Sequence, residues 1–297
     1  MKNLQIKFRF CSVLTMLSLS PCLFADTPNE DGFHFTRAYL ETSYITSHVS
    51  DTNNAYTGTT PIAGTVNNVG ASQTNVTTTG ISARYGARIR GGLTSSGLFN
   101  GGTSTNASNF IRNNFNGYAF AGFLEYSLFR PLNVGIVGGA GQSFGDISYG
   151  ATSQNFTSVS SYEGIYATAF MPLAQQWLVR FTPSFVSTNV DSNYNGTDAS
   201  PSNITANNQL NLFNLTPALT YSTPLHWQFD VGAVLHNVVT QTGPISMTRH
   251  SDYWTTPFLA VTYKAPMKFD IYGRASTEAG DRYFESETYA IGIAKRF

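Results

Sequence analysis

The chain has 297 residues, with 17 Lys plus Arg against 17 Asp plus Glu, so only 11% of it is charged, well under the roughly 25% of an ordinary soluble domain. Hydrophobic residues make up 41% and aromatic residues 14%, which is too much for a disordered chain. A bundle of membrane helices would need several apolar runs of roughly 20 residues, and the one apolar run of that kind lies at the N-terminus.

In that N-terminal segment Lys2, Lys7 and Arg9 precede an uncharged stretch over 10–24, and Ala25 stands before Asp26. A basic lead, a short apolar segment and a small residue predict an export signal over 1–25, cleaved after Ala25. Both cysteines, Cys11 and Cys22, fall inside it. The exported chain would then carry none, as suits a chain that crosses an oxidising compartment unfolded. Pro21 occupies the place where a lipidated Cys22 would want a small residue, so cleavage is the favoured reading. Losing three cations leaves the remainder mildly acidic, and no nucleic-acid partner is expected.

Residues 26–78 are read as an N-terminal arm, a lumen plug or an extra strand pair. The stretch 33–49 has strand character and would need a partner in 62–78.

Beyond residue 78 the period of the sequence is two. In 81–90 the residues Ile81, Ala83, Tyr85, Ala87 and Ile89 alternate with Ser82, Arg84, Gly86, Arg88 and Arg90. A strand sends successive side chains to opposite faces, so one face is greasy and the other basic. The same split recurs at Trp227, Phe229, Val231, Ala233 and Leu235 against Gln228, Asp230, Gly232 and His236. It returns at Phe269, Ile271, Gly273 and Ala275 against Asp270, Tyr272, Arg274 and Ser276. Ten strands are predicted, at 79–91, 117–130, 133–145, 159–171, 177–190, 210–222, 226–239, 253–265, 268–279 and 286–297; the 33–49 pair would make twelve.

Short proline-marked turns are read at 130–133, 171–173, 223–225 and 265–267, because proline presets turn geometry and cannot donate to a ladder. Longer polar segments at 92–116, 146–158, 191–209 and 240–252, with a shorter one at 279–284, are read as loops on the other rim. Short turns at one end, longer loops at the other and strands of about ten residues describe an all-β transmembrane antiparallel barrel of 10–12 strands, outer-membrane type, over 79–297. In lipid every backbone polar group needs an internal partner, and a closed sheet supplies one without an edge. Trp177, Tyr221, Trp227, Tyr253 and Tyr263 sit at strand ends, where interfacial girdles belong. A soluble sandwich of the same period would carry many Lys and Glu on its second face, which here is mostly small or weakly polar.

Three stretches carry a family resemblance. Residues 82–88 (Ser-Ala-Arg-Tyr-Gly-Ala-Arg) look like an opening strand, 122–128 with 132–139 like the next hairpin, and 289–297 like a closing strand. Together they resemble the β-domain (translocator) of bacterial autotransporters across about 80–297. The resemblance implies a Gram-negative outer-membrane barrel. Its ending implies an assembly signal in Tyr289, Ile291, Ile293 and Phe297, read by the barrel-assembly machinery; Lys295 departs from the apolar pattern there. Residues 26–78 are too few for a passenger domain, so the secretion role is not carried over.

By parity the pore-lining charges are Arg84, Arg88, Arg90, Glu125, Glu163, Arg180, Asp230, Lys264, Asp270, Arg274, Glu278 and Arg296. They imply either a polar channel with a slight anion preference or a filled interior whose charges pair across strands. The expected function is a structural or narrow-pore, porin-like barrel with a mildly basic lumen. The alternatives are a passenger-less surface adhesin or receptor, and an outer-membrane protease or lipase. For an enzyme, His236 and Asp230 share a face but stand about 20 Å apart along a strand, and His250 beside Ser251 and Asp252 is a weaker candidate. Catalytic residues, cofactors and metals are expected to be absent. The expected partners are outer-membrane lipid and lipopolysaccharide, the barrel-assembly machinery and small solutes.

Overall fold

The computed structural model describes residues 32–51, 54–57, 60–65, 68–106, 109–149, 152–194, 204–242, 251–281 and 284–297. The export-signal reading over 1–25 and His250 lie outside them. All regular elements among the described residues are strands. They are β1 (Phe33–Asp51), β2 (Asn54–Thr57), β3 (Thr60–Thr65), β4 (Asn68–Tyr85), β5 (Ile89–Asn106), β6 (Asn109–Phe129), β7 (Leu132–Tyr149), β8 (Thr152–Ala174), β9 (Trp177–Tyr194), β10 (Ile204–Ser222), β11 (Trp227–Thr242), β12 (Tyr253–Lys264), β13 (Phe269–Thr277) and β14 (Phe284–Arg296).

Twelve of these close into an antiparallel barrel in the order β1-β14-β13-β12-β11-β10-β9-β8-β7-β6-β5-β4, while β2 and β3 form a separate hairpin. Closure joins β1 to β14 through a register running from Arg37↔Arg296 to Val49↔Phe284. Every strand of the wall therefore has two neighbours, which is what a sheet in hydrocarbon requires.

The wall begins at residue 33 with β1, and β4 starts at Asn68, ahead of the first strand predicted at 79. The predicted strand 79–91 is two strand ends joined by a turn at 86–88. Gly86 takes a positive φ of 57° there, a conformation that glycine adopts without steric cost. Arg84 lies directly opposite Arg90, so the three-residue turn returns the chain on the same parity and imitates one uninterrupted strand. The predicted loop 92–116 is β5 and the far half of β6. The predicted turn at 171–173 lies inside β8, where the register slips between Pro172 and Ala174; the reversal falls at 175–176.

The faces sort as the period demands. Leu93, Leu124, Ile136, Ile165, Phe181, Val231, Leu259 and Ile291 are exposed on the outside, a distribution that makes sense only against lipid. At the short-turn end Trp177 packs on Tyr221 with centroids 4.5 Å apart, and Trp227 on Tyr263 at 5.0 Å, as an interfacial girdle should. Away from that end the outside turns polar, at Asn114 and Asn116 on β6, Asn189 and Asp191 on β9, Asn207 and Gln209 on β10, and Glu285 and Glu287 on β14. A tilted strand needs only about 9–11 residues to cross hydrocarbon. The 23 residues of β8 therefore carry the wall well past the lipid.

Substituting the outward Val231, in the apolar band, by Arg should lower folding stability in lipid vesicles by about 2–4 kcal/mol. Thr262→Arg, on the inward face of the next strand, should cost clearly less. Urea titration of the vesicle-inserted barrel checks both.

Candidate functional site

The lumen is the site the fold builds, and it has three zones. At the short-turn end it is charged. Asp270 pairs with Arg296 at 2.9 Å and lies opposite Lys264. Further along the same wall, on β11, the buried Asp230 accepts hydrogen bonds from Thr220 Oγ1 at 2.5 Å and Gln228 Nε2 at 2.8 Å, with the buried Arg180 in electrostatic range. Arg84 and Arg90 face each other on β4 and β5, and the Arg90 guanidinium lies 5.4 Å from the Phe123 ring.

The middle zone is a belt of tyrosines and ion pairs. Glu41 of β1 pairs with Arg274 of β13 and accepts from Ser43 Oγ at 3.2 Å. Glu125 of β6 is 4% exposed; it accepts from Asn133 Nδ2 at 3.1 Å and Tyr166 Oη at 3.2 Å. Tyr39, Tyr162, Tyr166 and Tyr272 each lean over a glycine of the neighbouring strand, respectively Gly80, Gly139, Gly135 and Gly292. A Cβ at any of the four would overlap the ring, so the glycines are what let the phenols lie flat along the wall. Tyr39 and Tyr162, five strands apart around the barrel, are close enough to interact electrostatically. The belt therefore reaches across the bore.

The outer zone sets two apolar clusters among small buried polar residues such as Thr74, Ser143, Ser158, Ser192 and Asn208. Ile45, Val76 and Leu98 form a buried cluster with Phe115 packed on it, and Phe115 meets Phe156 at 6.1 Å. A second cluster joins Leu210, Leu212 and Trp254 with Val238. These residues point inward at the height where the outside has turned polar. At these two places the strands carry apolar residues on the inside once they leave lipid.

Of the sequence-predicted lining residues, Arg84, Arg90, Glu125, Arg180, Asp230, Lys264, Asp270, Arg274, Glu278 and Arg296 stand on the inward face. Two do not. Arg88 is in the exposed β4–β5 turn and donates to Tyr126 Oη at 3.1 Å; Tyr126 faces outward. Glu163 is exposed on the outer face of β8, whose inward residues are the even ones, such as Ser158, Tyr166 and Thr168. Arg37, Tyr39 and Glu41 were missed. The register of β1 shifts between Phe35 and Arg37, so counting in twos from the outward Phe33 and Phe35 puts all three on the wrong face. Tyr289, Ile291, Ile293 and Phe297 are exposed on the outer surface.

Of the enzyme candidates, His236 sits between an amide and a hydroxyl, and Ser251 meets a carboxylate other than the neighbouring Asp252. Nδ1 of His236 lies 2.8 Å from Asn214 Oδ1, and Nε2 lies 3.0 Å from Thr256 Oγ1, while its ring stacks on Trp254 at 4.4 Å. Ser251 Oγ bonds to Asp281 at 3.3 Å. Among the described residues no group of three or more His, Cys, Asp or Glu is placed to hold a metal.

No protein-family model and no curated protein matches the chain. Solved structures do. The translocator domain of the autotransporter NalP from Neisseria meningitidis superposes with a TM-score of 0.66 at 12% identity, over 91% of this chain and 90% of that one. The transport unit of the autotransporter AIDA-I from Escherichia coli gives 0.62 at 10% identity, over 94% of each. An outer-membrane channel from Pseudomonas putida F1 gives 0.50 at 11% identity, over 92% of this chain and all of that one. The fold is that of a twelve-stranded outer-membrane barrel, and among these neighbours it is most similar to autotransporter translocator domains.

Proposed function

We propose that the chain is a bacterial outer-membrane protein acting as a narrow-pore, porin-like barrel that passes only small solutes. The observation that carries this reading is the belt formed inside the bore by Glu41–Arg274, Glu125 and the four tyrosines. Barrels of about eight strands are filled by side chains, whereas those of 16–18 leave an aqueous channel. Twelve strands with an inward tyrosine belt fall between these limits. Lipid and lipopolysaccharide would surround the apolar band, and the barrel-assembly machinery would insert the chain.

A surface receptor or adhesin is the second reading. Its support is the length of wall, most of all in β8, that projects past the apolar band with Asn, Asp, Gln and Ser on its outside.

Purified, folded protein in planar bilayers should give small current steps. The triple variant Glu41→Ala/Tyr162→Ala/Arg274→Ala should raise the step size severalfold. Current from neither protein would defeat the pore while leaving the barrel standing.

The belt should also bear on stability. Arg274→Ala leaves the buried Glu41 without its counter-charge and should cost about 3–5 kcal/mol. The double variant Glu41→Gln/Arg274→Met, which removes both charges, should lose much less. Denaturant titrations of the two variants provide the comparison.

A further inference from the structure

We infer that the short-turn mouth of the lumen holds an anion site, on the arc of wall formed by β14, β1, β4 and β5, that takes a small solute bearing a phosphate or carboxylate group. This deepens the narrow-pore reading by naming the solute class, and it rests on that reading for transport but not for binding.

The arc begins with Arg296 on β14, directly opposite Arg37 on β1. His34 on β1 is opposite Arg84 on β4, and Arg84 is opposite Arg90 on β5. Like charges directly opposite each other on adjacent strands destabilise a sheet. Two such pairs side by side on one inward face form a strongly positive surface. Among the described residues, three acids lie on or beside the arc, and all three are engaged. Glu41 of β1 pairs with Arg274. Asp270 pairs with Arg296, and Glu125, opposite Arg90, accepts hydrogen bonds from Asn133 and Tyr166.

Arg37 is held in place by aromatic faces, its guanidinium 5.9 Å from the Tyr39 ring and 5.4 Å from the Tyr272 ring. Arg90 is held in the same way over Phe123. Stacking on a ring fixes the plane of a guanidinium and leaves its edge donors for an oxyanion, which they match in pairs. Low-dielectric walls concentrate the field of such a cluster in the bore, and rings of Arg or Lys are how pores select anions. Arg37 stacks on two of the belt tyrosines and Arg90 stands opposite Glu125, so an anion drawn to the cluster is held at the narrow part of the path.

The test uses the full chain, folded in a non-ionic detergent, with inorganic phosphate as the probe and phosphorus NMR linewidth as the readout. The wild type should broaden the phosphate line saturably. Arg84→Gln/Arg90→Gln should weaken that binding by about tenfold or more, in line with losing two charge-assisted contacts. Arg88→Gln/Lys268→Gln removes two cations from the same end of the barrel outside the bore and should leave binding unchanged. Heat-dependent mobility on gels establishes that each variant is folded. In bilayers with a KCl gradient the wild type should prefer chloride, and the Arg84/Arg90 variant should lose that preference. No saturable broadening in the wild type, equal broadening in the Arg84/Arg90 variant, or loss confined to the Arg88/Lys268 variant would each overturn the site. A barrel that binds phosphate but passes no current would sink the pore and keep the site.

Discussion

The structure depends on one requirement: a backbone that enters hydrocarbon must carry all its hydrogen-bond partners with it. A chain with few apolar runs long enough for a helix can meet this only by closing a sheet on itself. Closure here is made by β1 and β14, the first and last strands of the wall, over thirteen paired residues on each strand from Arg37↔Arg296 to Val49↔Phe284. Once the sheet is closed, each side chain has two possible addresses, lipid or lumen. The chemistry of the lumen follows from which parity each strand adopts. The bulge at Phe35/Arg37 is therefore more than a local irregularity, because it sends Arg37, Tyr39 and Glu41 inward and supplies one side of the belt.

The belt itself joins packing to electrostatics. A tyrosine can lie along the wall only where its neighbour is glycine, and Gly80, Gly135, Gly139 and Gly292 provide those places. Rings laid flat in this way bring hydroxyls to Glu125 and, from opposite walls, bring Tyr39 towards Tyr162. The Glu41–Arg274 pair closes the same level between β1 and β13. The charges of the lumen thus sit in a scaffold whose shape is set by residues without side chains.

The sequence made much of this legible, and its failures have physical causes. The membrane-facing halves of the strands were readable because lipid on one side and water on the other impose a strict period of two. Where the outside leaves lipid, the contrast fades. Residues 204–209, Ile-Thr-Ala-Asn-Asn-Gln, are strand in β10 yet read as loop, because their polar members face solvent and carry no apolar rhythm. The segment 92–116 failed for the same reason, with Gly, Ser, Thr and Asn through most of β5. The turn at 86–88 was hidden by its parity, and Glu163 was misplaced because the weak alternation of β8 offers no phase. Arg88 and Glu163 were assigned wrongly, at a turn and on a weakly patterned strand, Arg37, Tyr39 and Glu41 were missed beyond a bulge, and the tyrosines Tyr162, Tyr166 and Tyr272 were passed over because only charges were sought. The zones of the lumen could not be read at all, since they depend on the stagger between strands.

The switch in the outer surface from apolar to polar also fixes the protein's vertical position. Below, Trp177–Tyr221 and Trp227–Tyr263 sit at one boundary; above, Tyr118 and Tyr289 are followed by Asn116, Asn114, Glu287 and Glu285 in the order the strands climb. A barrel marked at both heights cannot slide along its axis without submerging carboxylates or baring tryptophans. When bilayer thickness differs from the spacing of these marks, the lipid must stretch or thin to meet the protein. The rigid wall thus imposes its own thickness on the membrane around it.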